Sequence, residues 1–561
     1  MSQRAANRRI RLLGAVLALA LAGALARAGW IQVVRAGSLA ELADAQQTQT
    51  IPVPAPRGTI VDRNNFELAT NKDAITISAD PKLVTSPATE SRRAAQVLGL
   101  DGQGETKLLG KLADRRSRFA YVARQVPVAK AKRLERLKLA GFYFTRDSKR
   151  IYPQGSLASQ VIGNTNIDNN GISGLESTYN DALKGHDGWQ KVVKDPARQV
   201  IDIQSASDEQ PGADLTLTID NVIQLGVQRV LKQTLKDWQA LSASAVVLNA
   251  RSGEVLAMAT APGYDANLVS VGVPQELQRN RPITDTYEPG STFKLVTVAG
   301  ALSEGLVTPG TAFTLPYSIK VADKTIHDSH PRGTERLTVS DILTLSSNVG
   351  AVTISQLLGS EHLARWIKRF GFGKTTGIDF PGESAGNVLP LDKWYGSTAG
   401  TIPFGQGIAV TSLQLAAAYA AISNGGVWVQ PHFVTPAGSK SASAAKRRRV
   451  VTPAVAAQLM TMLRNVVDEG TGTQAEIPNY TVAGKTGTAA KPDPRTGVYS
   501  TYKYVASFVG IVPAYNPRLV ILVTVDEPKS SIWGGSVAAP AFKQIALDCL
   551  RYLEVAPDKT S

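Results

Sequence analysis

The chain has 561 residues, 43% hydrophobic and 19% charged, which is ordinary globular composition with room for several domains and excludes a low-complexity polymer. Its net charge of +15 favours anionic partners, but no zinc-finger spacing or RNP-like aromatic motif is present, so nucleic acid is not expected among them. Cys549 is the only cysteine, which excludes an intramolecular disulfide, and its place in FKQIALDCLRYL marks it as a buried helix residue.

At the front, Arg4, Arg8, Arg9 and Arg11 precede the apolar run Leu12–Ala26, and no acid appears before Glu41. A basic flank ahead of an apolar run orients a segment with its N-terminus in the cytoplasm. The uninterrupted run is shorter than the ~20 residues of a membrane span. It resumes after Arg27 as AGWIQVV, where Arg27 can snorkel and Trp30 can sit at the far interface. This predicts a cytoplasmic tail over 1–11 and a transmembrane anchor over 12–34. Ala24-Leu25-Ala26 also has the form of a signal-peptide cleavage site, so a mature chain starting at Arg27 is the alternative. On either reading the remainder lies outside the cytoplasm.

APRGTIVDRNNFELATN, residues 55–71, reads as strand, tight turn and strand, with Asp62-Arg63-Asn64-Asn65 turning. The charged, Leu/Ala-patterned region 87–140 is expected to be helical in pieces. In GISGLESTYNDALKG, Leu175, Tyr179 and Leu183 fall at helical spacing, predicting an amphipathic helix that ends at Gly185. A structural or docking role is the expectation for this region, and a domain boundary is expected near 205–215.

Beyond the boundary, ADLTLTID alternates as a strand does and NVIQLGVQRVLKQTLKDW has helical period. SAVVLNARSGEVLAMAT reads as a hairpin turning at 249–253, and YVASFVGIVPAYNPRLVILVTVDEP as another turning at Asn516-Pro517. AAPAFKQIALDCLRYLEV is a closing helix. Strands at both ends with helices between predict one antiparallel sheet flanked by helices, built from the first and last parts of the segment. HDSH, His327 to His330, reads as a loop or strand pair rather than a metal site, and AAKRRRVVTP, 444–453, as an exposed linker.

Within this segment lies YEPGSTFKLVTVAGAL. Pro289 and Gly290 mark a helix start, so Ser291 and Lys294 share a face at its N-terminal end. A serine hydroxyl needs a proton acceptor to become a nucleophile, and a lysine amine with a depressed pKa can supply one. Ser-x-x-Lys is expected by chance on the order of twice in a chain this long, so the pair alone identifies nothing. Two further elements follow in order. LTLSSNVGAV carries Ser346-Ser347-Asn348, which can offer polar groups to a cleft or simply cap the next helix. VAGKTGTAA carries Lys485, Thr486, Gly487 and Thr488, after the expected strand YTVAG. Gln406, in the glycine-flanked PFGQGIAVT, is a further cleft-lining candidate.

S-T-F-K, S-S-N and K-T-G in this order match the motif set of penicillin-binding proteins and class A β-lactamases. With the N-terminal anchor, RGTIVDRN, RIYPQGSLASQVIG and GISGLESTYNDALKG in front, nearly the whole chain resembles a class B penicillin-binding protein, a monofunctional peptidoglycan D,D-transpeptidase. Glu288 before Pro-Gly, and Asn348, look more like its septal, cell-division branch than its elongation branch. The resemblance implies an α+β chain: a transmembrane helix, an elongated mostly-β/α pedestal (dimerisation-like) domain over 35–210, a transpeptidase domain over 211–556 and a tail over 557–561.

It also implies a mechanism. Ser291 would attack the D-Ala-D-Ala carbonyl of a stem peptide, with Lys294 as its base. Ser346 would relay a proton to the leaving nitrogen, with Lys485 tuning the relay. Asn348 would hold the substrate amide, and Lys485, Thr486 and Thr488 its carboxylate. The N–H groups of Ser291 and Thr488 would form the oxyanion hole. No metal or cofactor is implied. The implied partners are stem peptides on lipid-linked nascent glycan, β-lactams as covalent inhibitors, a polytopic glycosyltransferase of the shape, elongation, division and sporulation (SEDS) family, and divisome proteins. The alternatives are an elongation-type enzyme of the same class, a membrane-anchored β-lactamase or carboxypeptidase, and a β-lactam sensor or inactive β-lactam-binding scaffold.

Overall fold

The computed structural model describes residues 3–39, 48–194, 200–439, 442–493 and 495–559. The first two residues of the expected tail 1–11, the last two of the tail 557–561, and residues 40–47 and 195–199 of the expected pedestal lie outside the described residues. The chain divides into two compact units, Met1–Pro56 with Gly185–Pro211, and Arg57–Lys184 with Gly212–Ser561.

The first unit opens with the N-terminal helix Gln3–Gly29, continued by a π-helical turn, Trp30–Val34. Together they are long and apolar enough to cross a membrane. No side chain of the helix is buried by protein, and Leu13, Leu17 and Leu19 are open along it. Apolar surface of that extent calls for another apolar phase. The unit's other element is a three-stranded antiparallel sheet in which Gly188–Lys194 lies between Thr48–Val53 and Val200–Ser207.

In the second unit, Ile60–Val61 pairs antiparallel with Glu67–Ala79 across the expected turn. Asp62 closes that turn by accepting hydrogen bonds from the N–H groups of Asn64 and Phe66, 2.7 and 2.8 Å. Glu67–Ala79 then pairs with both Ala120–Pro127 and Phe142–Ile151. The helices Pro87–Leu98, Gly102–Ala113 and Val128–Glu135 cover this sheet around Ile77, Leu108, Leu112 and Leu134. The helical pieces expected over 87–140 are these three helices, with the strand Ala120–Pro127 between the second and the third. Its register against Glu67–Ala79 shifts twice, which leaves Val122 and Val126 as its buried residues, four apart. That spacing imitates a helix face.

The expected helix 171–185 is broken in two at Tyr179, into Gly174–Thr178 and Asn180–Lys184. Leu175, Tyr179 and Leu183 are buried as the spacing predicted. The Asn180 side chain accepts from the Gly171 N–H at 2.8 Å, competing with helical continuation. The Tyr179 hydroxyl donates to Asp379, 2.9 Å, and that carboxylate also accepts from the N–H groups of Phe433 and Val434. Beside this tie, Glu176 is fully buried between Arg57 and Arg150, each guanidinium 2.7 Å away. The charge motifs of this region are therefore internal braces.

A further five-stranded sheet of this unit is formed by β1 (Ser242–Asn249), β2 (Val255–Ala261), β3 (Ala483–Pro492), β4 (Tyr499–Val512) and β5 (Leu519–Asp526), all antiparallel, in spatial order β2-β1-β5-β4-β3. As the sequence predicted, both ends of the segment supply it. Its inner strands are buried on both faces, with alternate residues serving different cores. Val246, Leu248 and Leu522 face one core, which includes helix α1 (Lys294–Ser303) and helix α2 (Ser412–Ser423). Val247, Ile521 and Val523 face the other, covered by the closing helix α3 (Gly534–Tyr552), where Cys549 is buried. The basic stretch expected as a linker is instead partly a strand. Arg447–Arg449 pairs with Val427–Val429, and the Arg448 guanidinium lies 4.6 Å over the Trp428 ring.

Candidate active site

The Pro289-Gly290 turn leads first into a short 3-10 turn, Gly290–Phe293, and only then into α1. Two internal bonds fix this entry. Thr292 Oγ1 donates to Pro289 O at 2.6 Å, and the buried Tyr419 hydroxyl of α2 donates to Thr292 O at 2.7 Å. Gly290 has φ +55°, and a Cβ there would stand 2.8 Å from Thr488 O of β3. Glycine is what lets the turn carrying Ser291 approach that strand.

Lys294 is the first residue of α1 and is fully buried. Its Nζ lies 2.9 Å from Ser291 Oγ, 2.6 Å from Ser346 O, 3.1 Å from Ser346 Oγ and 2.8 Å from Asn348 Oδ1. Two of these neighbours, the carbonyl and the amide oxygen, can only accept. A neutral amine has two N–H bonds for them and one lone pair left for a hydroxyl. The arrangement therefore suits an uncharged Lys294 that accepts the Ser291 proton. Burial, then the charge of Lys485, holds its pKa well below the usual lysine value, with Asp328 opposing.

Ser346 sits at φ +61°, a left-handed conformation unusual for serine, with both its carbonyl and its hydroxyl turned to Lys294. Ser347 caps the helix Asn348–Leu358 by accepting from the Gly350 N–H, 2.9 Å. The capping and cleft readings of Ser-Ser-Asn are thus both realised, by different residues of the triplet.

Lys485, Thr486, Gly487 and Thr488 lie within β3 itself, not after a strand that ends at Gly484. This corrects the sequence expectation. The reason is the long partner β4, which pairs residue for residue from Ala483↔Ile511 to Ala490↔Tyr504. Lys485 is fully buried, and burial lowers its pKa to about 7. Its Nζ lies 3.4 Å from Thr486 Oγ1, which in turn shares a hydrogen bond with Thr471 Oγ1, 2.8 Å. A Cβ on Gly487 would meet Ser507 Oγ at 2.3 Å and Pro289 O at 2.9 Å, so only glycine permits this approach to the serine turn. Thr488 Oγ1 accepts from the Gly534 N–H at the start of α3, 3.2 Å.

Ser291, Ser346, Asn348, Thr486, Thr488 and Gln406 line one open cleft of about 600 Å³. Gln406 stands between Gly405 and Gly407, both at positive φ. The Gly407 N–H donates to Glu288 Oε1, 2.9 Å, which also accepts from the Tyr499 hydroxyl, 2.8 Å. Glu288 thereby ties the Gln406 loop to β4. Residues that sequence reasoning missed at the cleft are Thr471, His330 and Trp533, the last two with rings 5.5 Å apart, and Asp328 beneath it. The expectation of a loop or strand pair for HDSH is borne out by His327 at the end of the strand Lys324–His327, but it gives no sign of what Asp328 does. Among the described residues, no group of three His, Cys, Asp or Glu could hold a metal ion.

Residues 243–547 match the penicillin binding protein transpeptidase domain, and residues 52–217 the penicillin-binding protein dimerisation domain. The chain is 37% identical to stage V sporulation protein D of Bacillus subtilis over 95% of this chain and 84% of that protein. It is 36% identical to the peptidoglycan D,D-transpeptidase FtsI of Escherichia coli over 98% of this chain and 92% of that one. A crystal structure of penicillin binding protein 3 from Mycobacterium tuberculosis, complexed with aztreonam, superposes with a TM-score of 0.71 at 32% identity, covering 91% of this chain and 98% of that one. With two such domains in series behind an apolar helix, the chain belongs to the penicillin-binding proteins, in their class B branch of peptidoglycan D,D-transpeptidases.

Proposed function

We propose that the chain cross-links peptidoglycan stem peptides through an acyl-enzyme on Ser291. The observation that carries this reading is the buried Lys294 amine, 2.9 Å from Ser291 Oγ, with its N–H bonds matched to Ser346 O and Asn348 Oδ1. Ser291 Oγ attacks the carbonyl carbon of the penultimate D-alanine, and its proton passes to Lys294. The C–N bond to the terminal D-alanine breaks, and the leaving nitrogen takes a proton through Ser346. An amine of a second stem peptide then displaces Ser291 and forms the cross-link. Asn348 holds the substrate amide, Lys485, Thr486 and Thr488 hold its carboxylate, Gly487 admits the close approach, and Gln406 lines the cleft. The N–H groups of Ser291 and Thr488 stabilise the oxyanion. β-Lactams inhibit by acylating the same serine, a reading supported by the aztreonam complex of the mycobacterial relative.

The N-terminal helix anchors the chain once in the bacterial membrane. Arg4, Arg8, Arg9 and Arg11 stay in the cytoplasm, and the pedestal (35–210) and transpeptidase domain (211–556) stand outside. Septal wall synthesis, beside a SEDS-family glycosyltransferase and divisome proteins, is supported by likeness to FtsI along nearly the whole chain. Wall synthesis during sporulation is the second reading, supported by the 37% identity to the Bacillus protein. Filamentous cells on depletion favour the first, and a defect confined to spores the second.

Intact-mass spectrometry of the detergent-solubilised chain mixed with benzylpenicillin tests the chemistry. A stable adduct on the wild type and none on Ser291→Ala is the expected result. An adduct that forms and rapidly disappears would instead indicate a β-lactamase, and no adduct on the wild type an inactive scaffold.

A further inference from the structure

Asp328 follows the hairpin of strands Ser318–Val321 and Lys324–His327, and its side chain is buried directly under the Ser346–Asn348 turn. Its Oδ1 accepts from the N–H groups of Asn348 and Val349, 2.6 and 3.0 Å. The Ser347 hydroxyl stands 3.0 Å from both carboxylate oxygens. Arg332 holds Oδ2 through Nε and a terminal nitrogen, 2.9 and 2.7 Å, while its other nitrogen donates to Leu315 O at 2.9 Å. The carboxylate is therefore clamped from behind by Arg332 and from the front by three consecutive residues. One residue earlier, His327 O accepts from Asn348 Nδ2 at 2.9 Å. That bond settles which end of the Asn348 amide is oxygen, and so what Lys294 meets.

We propose that Asp328 is a positioning residue of the acyl-transfer site, fixing the Ser346–Asn348 turn so that Ser346 O and Asn348 Oδ1 occupy both N–H bonds of the Lys294 amine and its lone pair is left to Ser291. The inference rests on the proposed acyl-enzyme function. Ser346 has a left-handed backbone that serine does not hold without external restraint, and the clamp on the next residues provides it. A cap alone would need one of the three donors that Asp328 collects. Asp328 also acts on the amine through space. The charged groups that bear on Lys294 are Lys485 of β3, which lowers its proton affinity, and Asp328, which raises it.

The test is stopped-flow acylation of the full chain in detergent by benzylpenicillin across pH, for the wild type, Asp328→Asn and Asp328→Ala, with thermal midpoints beside each. The Asn variant keeps an oxygen for the turn but turns an amide N–H₂ on Arg332 and removes the charge. Acylation is expected to fall about tenfold in Asp328→Asn and about 100-fold in Asp328→Ala, the cost of a small misplacement near reacting atoms. The acid limb, where Lys294 loses its proton, is expected to move to lower pH in Asp328→Asn, because the carboxylate that favours the protonated amine is gone. A residue that merely stabilised the helix would lower the thermal midpoint and leave that limb in place. Wild-type rate and limb in a folded Asp328→Asn overturn the proposal, and this variant decides alone if Asp328→Ala does not fold. A wild type that takes no acyl group overturns the proposal together with the function on which it rests, whereas undiminished acylation in the variants overturns the proposal alone.

Discussion

In the proposed mechanism two buried lysines govern the charge of the site, and that mechanism sets them opposite requirements. Lys294 must be neutral to accept a proton, so acylation rises with pH through its depressed pKa. Lys485 must be charged to hold a carboxylate, and burial places its pKa at about 7. The second-order acylation rate should therefore be bell-shaped, with an alkaline limb near pH 7 in the free enzyme. Lys485→Arg, whose guanidinium keeps its proton throughout, should move that limb upward by more than two pH units, as read from rates across pH. Ser291, Lys294 and the Lys485–Thr488 run were legible because each announces itself within a few residues of sequence. Asp328 was not. Its partners are Ser347, Asn348 and Val349, nineteen to twenty-one residues away, and an arginine in its own loop, and only the fold brings them together. Sequence spacing reports neighbours along a helix, not the anion that faces its first turn.

At the scale of elements, the site is the seam between the serine turn and β3, and two glycines keep that seam tight. Gly290 meets Thr488 O, and Gly487 meets Pro289 O and Ser507 Oγ. The Ser507 side chain can rotate away, but the Pro289 carbonyl is backbone. Gly487→Ala should therefore push strand and turn apart, at about 1–3 kcal/mol of overpacking. The acylation rate should fall about 100-fold. Stopped-flow rates compared with the thermal midpoint will separate the two, since most of the loss is expected in rate. Hairpins and amphipathic helices were readable here because their periods are local. Where tertiary pairing overrode the local pattern, the reading failed. β4 drew Lys485–Thr488 into a strand that seemed to have ended.

At the scale of the molecule, the N-terminal helix leaves its leucines uncovered by protein, which supports the proposed membrane anchor. The full chain should stay with membranes through alkaline carbonate extraction, and a chain lacking residues 3–34 should be released. A mature N-terminus at Arg27 would release the wild type as well. The sheet carries a different consequence. Ser242 pairs with Asp526, and β1 pairs with β5 along its whole length, so the first strand of this sheet in chain order waits for the last. Closing so long a loop is entropically slow. Until β5 and α3 have emerged, Val247 and its neighbours have no second strand on that side, and only the helix Asn221–Asp237 covers their face. The hydroxyl and amine of the serine turn can form their own contact early, but β3 reaches the sheet only through β4, and β4 only through β5. Reactivity is thus coupled to completion of synthesis: a chain cut off before Leu519 holds Ser291, Lys294, Ser346 and Lys485, but lacks the strand that joins β3 and β4 to the sheet and the Trp533 side of the cleft.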